Sequence, residues 1–195
     1  MFTGIIETTG IVEKKESVGT NISFWISSSL SSELRIDQSL SHNGVCLTVE
    51  EIQDNLHKVT AISETLEKTT LGIWQIGAVI NLERCMQVNG RLDGHIVQGH
   101  IDTSAECIAI TEKDGSWEYA FILDKKNSTL IIEKGSITLN GISLTIFNIS
   151  ETNFSVALIP YTFAHTNMSQ LKLHDKVNIE FDIIGKYVNR IMNPA

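Results

Sequence analysis

The chain repeats its own sequence pattern once, with an offset of about 97 residues. The longest match aligns residues 41–49, SHNGVCLTV, with residues 138–146, TLNGISLTI. A shorter match aligns NLE at 81–83 with NIE at 178–180. Because the matches keep nearly one register along the whole chain, the sequence predicts two copies of one fold.

The repeat also sets the number of domains. A chain of 195 residues divides into two copies of roughly 90 residues each, which is small for a domain but enough to close a core. We expect the first domain at residues 1–93, the second at 94–182 and a separate terminal helix at 183–195. At this size, contacts between the domains or between subunits should contribute to stability.

Apolar and polar residues alternate in short segments, which favours an all-β chain. Residues 21–26, 129–133 and 154–159 are rich in β-branched and aromatic side chains and are predicted to be strands. Asn-Gly and Asp-Gly pairs supply the positive φ angles of tight turns. Together these features predict two closed antiparallel barrels. One short helical segment is expected in each copy, at 64–69 and at 161–166.

The last part of the chain departs from this pattern. Ile184, Tyr187, Val188 and Ile191 follow the i, i+3, i+4, i+7 spacing of an amphipathic helix of about three turns. The first copy has no counterpart of this helix. Its apolar face is expected either to pack on its own barrel or to form an interface between subunits.

Charge and cysteine content argue against several classes of protein. Fifteen Lys and Arg against 23 Asp and Glu give a net charge of −8, which argues against nucleic-acid binding. The N-terminus lacks the features of a signal peptide, and no apolar run is long enough to span a bilayer. Cys46, Cys85 and Cys107 form no C-x-x-C motif, so neither a disulfide framework nor a zinc site is indicated. We therefore expect a cytoplasmic protein without a membrane partner.

The two copies differ at three positions that could carry chemistry. The second copy has a histidine, a serine and an aspartate where the first has an isoleucine and two cysteines. The pairs are Ile5 with His100, Cys46 with Ser143, and Cys85 with Asp182. A Ser-His-Asp set is used by hydrolases. That interpretation is disfavoured, because the GISL segment around Ser143 lacks the second glycine of a nucleophile elbow.

Each of these side chains also has an ordinary structural explanation. Cys46 is either a small buried hydrophobe or a thiol lining a site, and a nucleophilic role would need a lowered pKa or a nearby base. Ser143 is either a strand residue bonded to its own backbone or a site residue. His95 and His100 point to opposite faces of an extended strand, which makes a metal site improbable. His42, beside an Asn-Gly pair, is expected to be a turn residue.

Two matched hydroxyls point to ligand binding. Thr48 and Thr145 follow Cys46 and Ser143 by two residues, so each lies on the same strand face as its neighbour. Such pairs can present hydrogen-bonding edges to a planar heterocycle. The glycine that begins the repeated GIIET and GHIDT motifs allows close approach of the backbone to the same ligand. The repeat therefore predicts two equivalent sites, one per barrel.

Four segments taken together closely resemble riboflavin synthase of the α-subunit type. They are MFTGIIE at 1–7, HNGVCLTV at 42–49, GHIVQGHID at 94–102 and NGISLT at 140–145. The resemblance covers the whole chain, including the repeat and the tail helix. It implies two similar six-stranded antiparallel Greek-key barrels in tandem with a C-terminal α-helix, assembled as a homotrimer that the helix partly holds together.

The resemblance also implies a reaction, the last step of riboflavin biosynthesis. Members of the family convert two molecules of 6,7-dimethyl-8-ribityllumazine into riboflavin and 5-amino-6-(D-ribitylamino)uracil by transferring a four-carbon unit. They need no cofactor or metal. The active site forms between the first barrel of one subunit and the second barrel of its neighbour, and association with a lumazine synthase is compatible with the resemblance.

The resemblance assigns a catalytic role to Cys46, His100, Ser143, Thr145 and Asp182. Cys46 would serve as, or help to position, the nucleophile added to one lumazine, and the others would transfer protons or stabilise a deprotonated methyl group. The substrate-binding residues implied in the first copy are Gly4, Ile5, Ile6, Cys46, Leu47, Thr48, Thr60, Ala61, Ile62, Ser63, Glu64 and Thr65. Those implied in the second copy are Gly99, His100, Ile101, Lys134, Ser143, Leu144, Thr145, Ala157, Leu158, Ile159, Pro160, Tyr161 and Thr162.

A non-catalytic relative is the competing hypothesis. The resemblance extends to the lumazine- or flavin-binding antenna proteins of luminous bacteria. These proteins keep the two barrels but act as monomers with altered site residues. This chain keeps the catalytic set and the tail helix, which favours the enzyme. Val45 stands where some family members have a second cysteine, and Gln98 where some have serine; neither is a residue with an assigned role.

Overall fold

The computed structural model describes residues 1–193. The first barrel consists of β1 (Thr8–Val18), β2 (Asn21–Ser27), β3 (Ser39–His42), β4 (Val45–Gln53), β5 (Leu56–Ala61) and β6 (Val79–Arg84). The second consists of β7 (Thr103–Lys113), β8 (Ser116–Ile122), β9 (Ser136–Leu139), β10 (Ile142–Phe147), β11 (Asn153–Leu158) and β12 (Lys176–Phe181). The α-helices are α1 (Ser63–Lys68), α2 (Pro160–His165) and α3 (Ile183–Met192). Short 3₁₀ turns occupy Ser31–Glu33, Thr70–Ile73, Lys125–Leu130 and Asn167–Gln170.

Both barrels have the same antiparallel topology. The strand order is β1-β2-β5-β4-β3-β6 in the first barrel and β7-β8-β11-β10-β9-β12 in the second. In each, the fifth strand pairs with the second rather than with the sixth, which is the Greek-key connection. The predicted fold class is therefore confirmed: two six-stranded antiparallel barrels in tandem, followed by a helix.

The strands place alternate side chains inside and outside each barrel. On β4, for example, Leu47 is buried while Cys46 is half-buried and Thr48 is exposed, and β10 repeats this with Leu144 inside. Each barrel has a separate cluster of buried apolar side chains. The period of two seen in the sequence thus separates core residues from residues that can line an external site.

The interior of the first barrel also contains a histidine pair. His42 Nε2 lies 2.9 Å from His57 Nε2, and His57 Nδ1 lies 2.8 Å from Ser31 Oγ. Burial lowers the pKa of His57 to about 4 and holds the pKa of His42 well below its usual range. The prediction that His42 is a turn residue is wrong. It ends β3 with its ring inside the barrel, because the turn begins only at the next residue.

The two repeats are joined by equivalent hydrogen bonds. Asn81 Nδ2 donates to the carbonyl of Asn140, and Asn178 Nδ2 donates to the carbonyl of Asn43, both at 2.9 Å. All four asparagines are buried. The asparagine of each NLE or NIE motif therefore bonds the Asn-Gly turn of the other repeat, and the contact is the same in both directions.

The predicted helices are found in the structure, whereas one predicted strand is not. The segments predicted at 64–69 and 161–166 form α1 and α2, and the tail forms α3, although residues 194–195 of the predicted 183–195 helix lie outside the described residues. The strand predicted at 129–133 is wrong, because a 3₁₀ turn capped by the Asp124 carboxylate takes its first two residues. Within residues 1–193, no helix is long and apolar enough to cross a membrane.

Candidate functional site

The first candidate site lies on the outside of the first barrel, where β4 and β5 separate. Their paired register runs only from Val49 opposite Val59 to Gln53 opposite Leu56. At the unpaired end of β4, the Cys46 N–H donates to the carbonyl of Gly99 at 2.9 Å. We call this site, formed by Cys46–Thr48, Thr60–Thr65 and Gly99–Ile101, the first cleft.

The second barrel has an equivalent site, the second cleft. The register of β10 and β11 covers only Ile146 opposite Val156 and Phe147 opposite Ser155. Beyond it, the Ser143 N–H donates to the carbonyl of Gly4 at 2.8 Å. The second cleft is formed by Ser143–Thr145, Ala157–Thr162 and Gly4–Ile6.

The glycine segments are therefore exchanged between the two repeats. Gly4 belongs to the first copy but lies against the second barrel, and Gly99 does the reverse. The following isoleucines agree with this exchange, since Ile6 packs on the core of the second barrel and Ile101 on the core of the first. The chain crosses over before entering β1 and β7, so each segment lies against the barrel of the other copy.

A buried glutamate fixes each crossing segment. The Glu83 carboxylate accepts hydrogen bonds from the N–H groups of Thr3 and Gly4, and from the Thr3 hydroxyl, at 2.6 to 3.0 Å. The Glu180 carboxylate accepts from three successive N–H groups, those of residues 98–100, at 2.6 to 2.9 Å. Burial raises the pKa of both carboxyl groups above the usual range, against the hydrogen bonds, which lower it. Sequence reasoning gave these glutamates no role, although the repeated NLE and NIE motifs mark them.

The exchange places Ile5 beside the second cleft and His100 beside the first. Both side chains are exposed. His100 is held through its backbone N–H, which donates to Glu180 at 2.9 Å. His100 directly follows Gly99, whose carbonyl bonds Cys46, so this residue lies next to the first cleft.

Cys46 does not have the surroundings of an activated nucleophile. Burial raises the pKa of its thiol, and the negative charge of Glu180 and the nearby Cys85 add to this effect. A hydrogen bond with Ser39 and the positive N-terminus oppose it only in part. The thiol is therefore neutral at pH 7 and suited to lining the cleft or donating a weak hydrogen bond.

Ser143 contacts a histidine that sequence reasoning did not assign to the site. His95 Nδ1 lies 2.7 Å from Ser143 Oγ, and His95 Nε2 lies 3.1 Å from Thr138 Oγ1. Burial lowers the pKa of His95, and the charge of Asp182 opposes that shift. This is not a hydrolase triad, because the second ring nitrogen meets a hydroxyl rather than a carboxylate.

Asp182 has a structural function as well as a charge. Its carboxylate accepts from the Ile184 N–H at 2.9 Å and so caps the N-terminus of α3. Its position corresponds to that of Cys85, whose thiol lies 3.6 Å from the Ser39 carbonyl. The structure thus links the start of α3 to the surroundings of Ser143.

The remaining predicted residues divide by the direction of their side chains. Thr48, Thr145, Ala157, Ile62, Glu64, Ile159, Pro160 and Tyr161 are exposed, and Thr60, Ser63, Thr65 and Thr162 are half-buried. Leu47, Ala61, Leu144 and Leu158 are buried in the barrel cores, so only their backbone atoms can reach a ligand. Lys134 is exposed, with φ of +65°, and its ammonium lies 5.8 Å from the centre of the Phe147 ring.

In the single chain, the matched Thr48 and Thr145 side chains of the two clefts are exposed to solvent. A depression of about 770 Å³ is lined by residues that include Ile5, Arg84 and Cys85, and Ile5 is the one residue of the two clefts in its lining. The clefts are the candidate site that we carry forward, because each repeat places a matched threonine hydroxyl beside a crossing glycine segment. Within residues 1–193, no group of three or more His, Cys, Asp or Glu side chains could hold a metal ion.

Comparison with known proteins identifies the repeat. The family model described as Lumazine binding domain matches residues 3–85 and 98–182. The chain is 40% identical to riboflavin synthase from Bacillus subtilis (strain 168) over 196 residues, covering all of this chain and 91% of that protein. It is 39% identical to riboflavin synthase from Actinobacillus pleuropneumoniae, with 98% of this chain and 90% of that protein covered. The enzyme of the same name from Saccharomyces cerevisiae is 34% identical, over 97% of this chain and 85% of that protein.

Solved structures show the same fold. A crystal structure of LumP with 6,7-dimethyl-8-(1'-D-ribityl) lumazine superposes with a TM-score of 0.84 at 23% identity, covering 92% of this chain and 98% of that one. A crystal structure of LumP with riboflavin gives a TM-score of 0.85 at 25% identity, over 93% of this chain and 99% of that one. With two copies of the lumazine-binding domain and full-length relatives of one name, the chain belongs to the riboflavin synthase family of transferase enzymes.

Proposed function

We propose that this protein converts two molecules of 6,7-dimethyl-8-ribityllumazine into riboflavin and 5-amino-6-(D-ribitylamino)uracil. One substrate gives up a four-carbon unit and the other accepts it, so the carbon skeletons balance without a further reactant. The observation that carries the proposal is the pair of equivalent clefts, each with a matched threonine hydroxyl and the backbone of a crossing glycine segment. A reaction between two copies of one heterocycle needs two such sites.

The two clefts differ in the group that stands beside the matched threonine. The first cleft has the neutral thiol of Cys46, and His100 lies next to it. The second has the Ser143 hydroxyl in contact with His95. We assign proton transfer and stabilisation of the deprotonated methyl group to Ser143, Thr145, His100 and Asp182, with Cys46 lining the first ring. Much of the rate enhancement should come from holding the two rings in register.

We further propose that the productive site forms between subunits of a homotrimer, with the first cleft of one copy facing the second cleft of its neighbour. The exposed matched threonines of the two clefts support this arrangement, because a second copy would cover them. The face of α3 supports it as well, since Ile184, Tyr187, Val188 and Ile191 are all more than half exposed. Light scattering should give three times the 21.6 kDa mass of the chain, and a strict monomer would contradict the trimer.

The cytoplasm is the proposed location, and no cofactor or metal enters the proposed reaction. Cys46, Cys85 and Cys107 are free thiols, which suits a reducing compartment. Binding to a lumazine synthase shell is a further proposal from the resemblance, and co-elution of the two purified proteins tests it.

The deciding experiment incubates the purified, chelator-treated protein with 6,7-dimethyl-8-ribityllumazine and separates the products by chromatography. Riboflavin and the diaminouracil product should appear in equal amounts. If the lumazine binds tightly and its fluorescence changes but no riboflavin forms, the proposed reaction is wrong. The protein would then be a binding protein of the antenna type.

A further inference from the structure

The contact between Ser143 and His95 has no counterpart in the first cleft. Cys46 occupies the position of Ser143, and no histidine is among its hydrogen-bond partners within residues 1–193. His95 is 9% exposed and lies between two hydroxyls, those of Ser143 and Thr138. Its role depends on which ring nitrogen carries the proton, because that decides which hydroxyl donates and which accepts.

The buried threonine decides the direction of the hydrogen bonds. The Thr138 side chain is fully buried, and a buried hydroxyl must donate its proton. Within residues 1–193, the hydrogen-bond partner of Thr138 Oγ1 is His95 Nε2, at 3.1 Å. Thr138 therefore donates to Nε2, and this nitrogen carries no proton.

The remaining ring proton is then on Nδ1. Burial keeps the imidazole neutral at pH 7 by lowering the His95 pKa, although the Asp182 charge acts in the other direction. A neutral imidazole with an unprotonated Nε2 has its N–H at Nδ1, which donates to Ser143 Oγ across 2.7 Å. Ser143 Oγ accepts this bond, so its own proton is free to point into the second cleft.

We propose that His95 is a positioning residue that fixes the Ser143 hydroxyl as a hydrogen-bond donor to the ring bound in the second cleft. This inference rests on the proposed function for the identity of that ring. A donor held in this way stabilises negative charge on a lumazine that has lost a methyl proton. The second cleft is therefore the one built to bind the ring as an anion, whereas the neutral thiol in the first cleft is a weaker donor.

The tautomer can be measured without substrate. Spectra of protein labelled with ¹⁵N-histidine distinguish a protonated Nδ1 from a protonated Nε2, and a His95→Asn variant assigns the signal. We expect a neutral His95 with its proton on Nδ1. Thr138→Val should shift the population toward the Nε2 form, Thr138→Ser should keep the Nδ1 form, and Ser41→Ala, at the equivalent position of the first repeat, should leave the signal unchanged. A charged ring or a proton on Nε2 in the unmodified protein would overturn the inference.

The kinetic test uses two amide variants. In His95→Asn, the side-chain amide stands where Nδ1 stood and can still donate to Ser143. In His95→Gln, the amide reaches the Nε2 position and leaves Ser143 without its donor. We expect kcat to fall about 100-fold in His95→Gln, the effect of removing one preorganised donor, and to fall less than about tenfold in His95→Asn, with KM changed only a few-fold in both.

The two proposals fail in different ways. If His95 has its proton on Nδ1 but His95→Gln keeps the kcat of the unmodified protein, the positioning role is wrong and the proposed reaction stands. If the unmodified protein makes no riboflavin, the proposed reaction is wrong. His174→Asn, at an exposed histidine that pairs with Glu106, is the control for a histidine substitution outside both clefts.

Discussion

The two barrels share a topology and a mode of ligand access but differ in what fills equivalent positions. The first has a buried histidine pair, His42 and His57, where the second has Leu139 and Phe154, which are equally buried. In the core, the first barrel is therefore the more polar of the two. At the clefts the second is the more polar, because it has the Ser143 hydroxyl where the first has the Cys46 thiol. A duplicated fold thus keeps its backbone bonds, including the two crossing segments, while core and site side chains diverge independently.

The crossing glycines are the most sensitive point of this comparison. A Cβ on Gly99 would lie 2.5 Å from Cys46 Cβ, and one on Gly4 would lie 2.6 Å from Ser143 Cβ, both at positive φ. We expect Gly99→Ala to displace the ring in the first cleft and Gly4→Ala the ring in the second. Because the reaction needs both rings, each change should lower kcat by about 100-fold or more.

The matched control is Gly19→Ala, which also has positive φ but has no atom within 4 Å of the added Cβ. It should lose stability through backbone strain of about 1 kcal/mol and keep its turnover. Steady-state kinetics and thermal melts of the three variants check this. Equal turnover in Gly99→Ala and the unmodified protein would show that the crossing segment does not form one side of the first cleft.

Acid should destabilise the first barrel more than the second. The unfolded chain takes up protons on histidine below pH 6.5, whereas burial lowers the pKa of His57 to about 4 in the folded barrel. Stability is therefore lost as the pH falls from 6.5 toward 4, by about 2 kcal/mol at pH 5 from His57 alone. Urea unfolding at pH 7 and pH 5 measures this loss.

Replacing the histidine pair of the first barrel with the equivalent residues of the second tests whether this pair causes the acid sensitivity. In the double variant His42→Leu, His57→Phe, the apolar pair of the other repeat replaces the two imidazoles. Its loss of stability between pH 7 and pH 5 should be smaller by about 2 kcal/mol or more. An unchanged loss would mean that the pair is not the acid-sensitive element of the chain.

The Cys46 thiol should react slowly with alkylating agents. Burial raises its pKa, so a smaller fraction of it than of an exposed cysteine is thiolate at pH 8. Mass spectrometry of iodoacetamide-treated protein over a range of pH, with a free cysteine peptide as reference, should show a rate that rises with an apparent pKa above that of the peptide. An apparent pKa below that of the peptide would instead identify an activated nucleophile.

The smallest effect concerns the start of α3. Asp182→Ala removes both the helix cap and the charge near His95, and should cost about 1 kcal/mol of stability. Asp182→Asn keeps a capping side chain and should cost little stability. In this variant the pKa of His95 should fall further, because the negative charge that raises it is gone. Thermal melts separate the two variants, and equal melting temperatures would contradict the capping role.

Much of the fold could be predicted, because the repeat and the strand periodicity are local properties of the sequence. The outward direction of Cys46, Thr48, Ser143 and Thr145 follows from alternation along a strand. The exchange of Gly4 and Gly99 between barrels could not be predicted, since it depends on how the repeats pack against each other.

The missed and mistaken residues share a cause. His95 has no partner in the repeat alignment, and its two contacts are more than forty residues away in the chain. His42 was predicted to be a turn residue because it precedes an Asn-Gly pair. That local signal carries no information about the contact with His57, which lies 15 residues further along the chain. Contacts of this kind are set by tertiary packing rather than by spacing in the sequence.

The central claim is that a crossing segment of each repeat forms one side of the other repeat's cleft, and that each cleft holds one ring. A crystal structure of the protein with a lumazine analogue that cannot transfer its carbon unit tests it most directly. The account predicts one ring against Cys46–Thr48 beside Gly99 and a second against Ser143–Thr145 beside Gly4. A ring found in only one cleft, or in the depression next to Cys85, would contradict it.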